Sequence, residues 1–116
     1  AIAMATMYTA NHLDIQGIVA LTESGSTPLW MSRIRSAIPI YALCRMAEAR
    51  RRMLLYRGVY PIPFDVTHYS LNEVNQKALD KLIELGFLQK GERAILTHGD
   101  HLGIHGGTNA MKIMEA

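Results

Sequence analysis

The chain has 116 residues, of which 49% are hydrophobic and 19% are charged, values typical of one globular domain. Its formal net charge of +2 is too small to indicate a nucleic-acid partner. No apolar run approaches the ~18 residues that indicate a membrane span. The single cysteine, Cys44, excludes a disulfide within the chain and gives no support to a structural zinc site. We therefore expect a cytoplasmic protein that binds neither nucleic acid nor membranes.

Helical and strand-like patterns alternate along the chain. The predicted elements are, in order, a helix over 1–12, a strand over 15–21, a helix over 28–37, a strand over 39–43, a helix over 47–56, a strand over 58–64, a helix over 71–85, and strands over 93–97 and 109–115. Pro61 and Pro63 cannot donate to a strand ladder, so the third strand is expected near an edge. Ser70 or Asn72 is predicted to cap the long helix, and Gly86 to end it.

This alternation predicts an α/β fold for residues 1–116 as a single domain. The expected architecture is a three-layer sandwich around a mostly parallel sheet of about five strands. The last two strands are joined by a loop with no room for a crossover helix, so the last strand is predicted to be antiparallel.

A polar segment, 22–27, separates the first predicted strand from the second predicted helix. It surrounds a glycine with small hydroxyl residues, and its candidate ligand-binding members are Thr22, Ser24, Gly25, Ser26 and Thr27. Backbone N–H groups and hydroxyls at such a helix start form a socket for a phosphate. The same residue types also make an ordinary Ser/Thr cap, and the hexapeptide by itself favours the cap.

A second polar loop, 98–108, follows the carboxyl end of another predicted strand. Ligands of open α/β sheets bind at the carboxyl ends of strands, so both loops are expected to face one pocket. His98, His101 and His105 lie in this glycine-rich loop without a Cys or nearby Glu to complete a ligand set, so we expect no metal site. Ser24 lacks the preceding glycine of a nucleophile elbow, which favours a role in the turn.

Five segments of the chain, 18–27, 32–42, 56–61, 91–100 and 106–113, carry a family resemblance. Their order and spacing resemble the C-terminal domain of bacterial pyruvate kinase over essentially all 116 residues. The chain looks most similar to the class activated by AMP or sugar monophosphates.

The resemblance implies a site for a phosphorylated effector and favours the socket over the simple cap. The effector phosphate would be held by Thr22, Ser24, Gly25, Ser26 and Thr27. The effector loop would end in Gly106, Gly107, Thr108 and Asn109. The implied partners are a sugar monophosphate or AMP, the catalytic barrel of a pyruvate kinase, and further copies of the chain. Met4, Met7 and Trp30 are expected in the core or against that barrel.

The resemblance also implies what this domain lacks. The barrel that supplies carboxylates for Mg²⁺, the K⁺ site and the catalytic lysine is absent, so the chain by itself is predicted to be a non-catalytic fragment of an enzyme. In bisphosphate-responsive relatives an arginine often stands where this chain has Leu85, so we expect a monophosphate effector. The segment 44–48 departs from the pattern of related sequences.

A second functional hypothesis is a free-standing module of the same fold that binds a phospho-sugar or nucleotide, or acts as a scaffold. The start of the sequence within a predicted helix, without an initiator methionine, favours the fragment.

Overall fold

The structure is a computed structural model that describes residues 2–70, 72–99 and 108–116. Its elements are α1 (Ile2–His12), β1 (Gly17–Leu21), α2 (Ser26–Ser32), β2 (Ile40–Cys44), α3 (Ala47–Met53), β3 (Val59–Pro63), a 3₁₀ turn (Val66–His68), α4 (Val74–Glu84), β4 (Arg93–Gly99) and β5 (Thr108–Glu115). None of the helices in these described ranges is long and apolar enough to cross a membrane.

Five strands in the described part of the chain form one sheet in the order β3-β2-β1-β4-β5. The first four are parallel, with Ala20 of β1 paired to Ala42 of β2 on one side and to Thr97 of β4 on the other. β5 runs antiparallel to β4, with Leu96 opposite Lys112. The predicted sheet is therefore confirmed, and β3 with its two prolines lies at an edge as expected.

Helices cover both faces of the sheet, which confirms the three-layer architecture. On one face, Leu79 and Leu82 of α4 pack against strand residues such as Val19 and Leu96. The buried residues of α1, α2 and α3 belong to a second cluster on the other face, which includes Ile18 and Ile95. Successive strand residues point to opposite faces, so these neighbours in sequence belong to different clusters.

The two ends of α4 follow different rules. Gly86 has φ 83° and ends the helix as predicted, because Phe87 N–H donates to Leu82 O (2.9 Å) and Gly86 N–H to Ile83 O (3.0 Å), a Schellman motif. The predicted cap at Ser70 or Asn72 is wrong. The helix begins later, at Val74, after a Glu73 that makes no side-chain cap bond to the helix.

Helix α2 is shorter than the predicted 28–37. It begins two residues earlier, at Ser26, and ends at Ser32. Beyond it, Asn11 Nδ2 donates to Arg35 O (3.2 Å) and Ile38 N–H donates to Ser36 Oγ (3.1 Å). These bonds, and the preference for extended backbone before a proline, hold the chain out of a helix on its way into β2.

Candidate functional site at the switch point of the sheet

The carboxyl ends of β1 and β4 meet where the sheet reverses its winding. The chain leaves β1 through α2 on one face to reach β2, whereas it arrives at β4 through α4 on the opposite face. Adjacent strands whose connections diverge in this way leave a crevice at their carboxyl ends. The segment 22–27 lies at the end of β1, which places the predicted binding residues at this switch point.

The turn 22–27 is internally hydrogen-bonded. Thr22 Oγ1 accepts from Gly25 N–H (2.9 Å), and Ser24 Oγ accepts from Ser26 N–H (3.3 Å). Ser24 Oγ also lies 3.2 Å from Ser26 Oγ. Among the described residues, the Thr27 amide has no acceptor, and Pro28 contributes no N–H of its own. The turn therefore brings the hydroxyls of Ser24 and Ser26 together and leaves one amide, that of Thr27, unpaired within the described residues.

Gly25 is the residue that lets the turn form. Its φ of 84° is left-handed, and it is the N-cap residue of α2. A Cβ added there would lie 3.0 Å from Met53 Cγ and 3.1 Å from Met53 Sδ, so the backbone also rests closely on α3. Both the dihedral angle and the contact favour glycine.

Glu23, within the same turn, is buried and ion-paired. Its two carboxylate oxygens lie 3.0 and 3.1 Å from Arg45 Nε, and the residue is only 7% exposed. Because the carboxylate accepts this hydrogen bond, it raises the pKa of the Arg45 guanidinium. Cys44 Sγ also donates to Glu23 O (3.5 Å). The turn is thus fastened to the segment between β2 and α3.

Two arginines of α3 extend this connection. Arg52 Nη2 donates to Ser24 O (3.1 Å), and Arg50 Nη1 donates to Cys44 O (2.8 Å). Arg51 and Arg52 are exposed, whereas Arg50 is half-buried. The segment 44–48, which departs from the family pattern, therefore lies directly beside the predicted phosphate turn.

The stem of the second predicted loop lies beside the turn. β4 continues through His98 to Gly99, two residues beyond its predicted end, and Gly99 pairs with Thr108 across an irregularity in the ladder. Thr108 and Asn109 begin β5 and are brought to the carboxyl end of β4, one strand away from the turn. Gly106 and Gly107 lie outside the described residues.

The other candidates that the sequence raises have definite positions. Within 2–70, 72–99 and 108–116, no three His, Cys, Asp or Glu side chains form a group that could hold a metal ion, while His101 and His105 lie outside these ranges. Cys44 is buried, and burial raises the pKa of its thiol. Met7 is also buried and belongs to the core, so the alternative that it faces a further domain is wrong.

The position of Leu85 does not support the inference drawn from it, and the monophosphate effector stays a prediction. Leu85 follows α4 at the opposite end of the sheet from the turn, because the next residues pack where the strands begin. Phe87 stacks on Tyr41 at the start of β2 with ring centroids 5.2 Å apart, and Leu88 lies near Gly17 at the start of β1. A side chain at position 85 therefore says nothing about a second phosphate at the turn.

Sequence reasoning missed the Glu23–Arg45 pair, although a signal for it exists. Leu21 pairs with Leu43 in the parallel ladder, so residues two positions beyond each strand fall side by side. Opposite charges at those two positions predict an ion pair once the strands are known to be neighbours. The contact of Arg52 with Ser24 has no comparable signal, since it depends on the angle at which α3 leaves the sheet.

The fold and this site define an open α/β domain with a polar crevice at its switch point. The family model described as "Pyruvate kinase, alpha/beta domain" matches residues 1–114. The chain belongs to this family and corresponds to the C-terminal domain of pyruvate kinases.

Similar proteins agree with this assignment. The chain is 45% identical over 116 residues to a pyruvate kinase of Buchnera aphidicola subsp. Acyrthosiphon pisum, covering 99% of the chain and 24% of the relative. It is 40% identical over 115 residues to pyruvate kinase II of Salmonella typhimurium, covering 98% of the chain and 24% of the relative. The chain therefore spans about a quarter of the length of these relatives.

Proposed function

We propose that this chain is the regulatory domain of a pyruvate kinase and binds a phosphorylated small-molecule effector at the turn 22–27. The observation that carries the proposal is the convergence, at the switch point, of a left-handed Gly25 with the hydroxyls and amides around it. Backbone donors, small hydroxyls and close backbone approach suit the tetrahedral oxygens of a phosphate. The pyruvate kinase reaction of glycolysis, from phosphoenolpyruvate and ADP to pyruvate and ATP, belongs to the longer protein.

Phosphate would bind by replacing bonds that the turn now makes with itself. The hydroxyls of Ser24 and Ser26 face each other, and the bond from Ser26 N–H to Ser24 Oγ is long at 3.3 Å. A phosphate oxygen accepts both an amide and a hydroxyl hydrogen, so it can take over these donors without unfolding the turn. The loop that begins after Gly99 is proposed to cover the rest of the effector, a sugar monophosphate or AMP.

Calorimetric titration of the 116-residue chain with ribose 5-phosphate, glucose 6-phosphate and AMP tests this proposal. We expect saturable binding of at least one of them. Ser26→Ala removes one hydrogen bond, worth about 0.5–1.5 kcal/mol, and should weaken binding less than Gly25→Val does. A folded chain that binds none of the three at millimolar concentration contradicts the proposal, as does a Gly25→Val variant that binds as well as the parent.

The proposal includes contacts with the catalytic barrel and with other copies of the chain. An apolar groove of about 650 Å³ lies between α1 and α2 and includes Met4, Trp30 and Ile34. Met4 is 70% exposed and Trp30 is 59% exposed, which is unusual for such large apolar side chains. Sedimentation of the isolated chain should therefore show a dimer or a larger species, and a monomer at high concentration would count against self-association.

The isolated chain is proposed to be non-catalytic, and Mg²⁺ and K⁺ are assigned to the barrel of the longer protein. Purified chain mixed with phosphoenolpyruvate and ADP should form no pyruvate above a mock preparation. Turnover above that background would instead favour an independent enzyme.

A further inference from the structure

We infer that Arg52 supplies the positive charge for the anion bound at the turn 22–27, an inference that rests on the proposed function. The turn itself contains no cation, and its one charged residue, Glu23, is negative. A phosphomonoester is close to doubly charged at neutral pH, so its binding needs a positive group near the hydroxyls and amides. That group has to come from another part of the chain.

The neighbouring segment 44–52 offers four arginines, and three of them already have partners there or in the turn. Arg45 is paired with the Glu23 carboxylate, so its charge neutralises the turn's own anion. Arg50 is half-buried and donates to Cys44 O (2.8 Å), which fixes it beneath the end of β2. The charge of Arg45 is already balanced by a carboxylate, and Arg50 is less exposed than Arg52.

Arg52 is placed differently. Its Nη2 lies 3.1 Å from Ser24 O, so the guanidinium stands against the backbone of the turn. The side chain is exposed and has no carboxylate partner among the described residues. A guanidinium has five N–H donors, and this contact uses one of them. The remaining donors can bind phosphate oxygens while the bond to Ser24 O still holds the side chain in place.

The effector class that this geometry selects is a phosphomonoester held by one guanidinium. Arg51, the adjacent residue, is also exposed but makes no hydrogen bond to the described residues of the turn. It therefore provides a matched control, since its substitution changes the net charge by the same amount without removing the contact.

The test measures the affinity of ribose 5-phosphate, glucose 6-phosphate and AMP for the parent, Arg52→Gln, Arg52→Lys and Arg51→Gln chains, with circular dichroism to verify folding. Arg52→Gln should weaken binding about tenfold or more, because charge-assisted hydrogen bonds are lost. Arg51→Gln should stay within about twofold, since screening weakens a distant charge. Arg52→Lys should recover part of the affinity, because it keeps the charge and loses the fork of donors.

Equal affinities of Arg52→Gln and Arg51→Gln, in a parent that does bind phosphomonoesters, would overturn the role of Arg52 and leave the proposed function standing. A parent that binds none of the three ligands would overturn both. Reduced salt dependence of binding in Arg52→Gln alone would support the direct contact further.

Discussion

The two faces of the sheet differ in the side chains that pack on them. The face under α4 is closed by aliphatic side chains, among them Leu79 and Leu82, which are fully buried. The face under α1, α2 and α3 is filled with methionines such as Met31 and Met53, carries the polar turn at its edge and leaves Trp30 exposed. Met has more accessible rotamers than Leu. We therefore expect the α4 face to pack rigidly and the Met-rich face to adapt its packing when a partner or ligand binds. Stability and binding should therefore respond to different substitutions.

The largest expected effect on stability comes from the α4 face. Leu82→Ala removes a fully buried side chain and should lower the free energy of unfolding by about 2–5 kcal/mol. Effector affinity at a temperature where the variant is folded should be unchanged. Urea unfolding and calorimetry measure the two quantities, with exposed Lys77→Ala of the same helix as the control. A Leu82→Ala chain with the stability of the parent but without effector binding would contradict the assignment of stability to the α4 face.

The next largest effect distinguishes the loss of stability caused by backbone strain from the loss of phosphate binding at the turn. Gly25→Val places a β-branched residue at positive φ, at a cost of about 1–2 kcal/mol, and also presses on Met53. Gly58 has a similar φ of 73° with no atom near an added Cβ, so Gly58→Val is the matched control. Both variants should lose stability by urea unfolding, whereas only Gly25→Val should lose phosphate binding. Equal loss of binding in the two would mean that global strain, not the turn, is responsible.

A smaller effect concerns pH and Asp65, at the end of β3. Its carboxylate accepts from Thr67 N–H (2.9 Å) and from the Thr67 hydroxyl, and these bonds lower the pKa of Asp65 below its ordinary value of 3.8. A lowered pKa means that the ionised form stabilises the fold above the unfolded-state pKa and that this contribution is lost as the pH falls through the folded-state pKa.

Urea unfolding of the parent and Asp65→Asn chains measures this contribution. Their difference in stability should shrink as the pH falls below about pH 4. A difference that grows as the pH falls below about pH 4 would contradict the assignment.

The smallest expected effect is on the rate at which a thiol reagent labels Cys44, which lies on the face under α1, α2 and α3. Cys44 is 1% exposed, and burial raises the pKa of its thiol above the ordinary 9.0, so little reactive thiolate forms at pH 8. Reaction with a thiol reagent should be much slower in the native chain than in urea-unfolded chain, and bound effector should slow it further. Native labelling as fast as unfolded labelling would show that the segment under the turn is open.

Much of the fold follows from local pattern, while the details of the site do not. The amphipathic spacing in α4 and the apolar runs of β1 and β2 predict those elements and their order. The length of α2 depends on a bond between Asn11 and Arg35 that no local window contains. The position of Leu85 relative to the turn does not follow from its motif, because a motif does not say at which end of the sheet it lies.

The turn shows the same division. Its glycine and hydroxyls are recognisable as a phosphate socket because turn chemistry is local. The contacts beneath it from Met53 and Arg52 join residues more than 25 positions apart, and they appear only when α3 is packed on the sheet. The Glu23–Arg45 pair lies between these two extremes of predictability. It follows from the register of β1 and β2 once the two strands are known to be neighbours.

The central claim is that the turn 22–27 holds an effector phosphate through its own backbone. Amide NMR spectra of the 116-residue chain, recorded during titration with ribose 5-phosphate, glucose 6-phosphate and AMP, test it most directly. The amide signals of Gly25, Ser26 and Thr27 should shift saturably with at least one ligand, while those of Gly58 and Gly91, far from the turn in the sequence, stay unchanged. Saturable shifts confined to other parts of the chain, or no shift at millimolar ligand, would contradict the account.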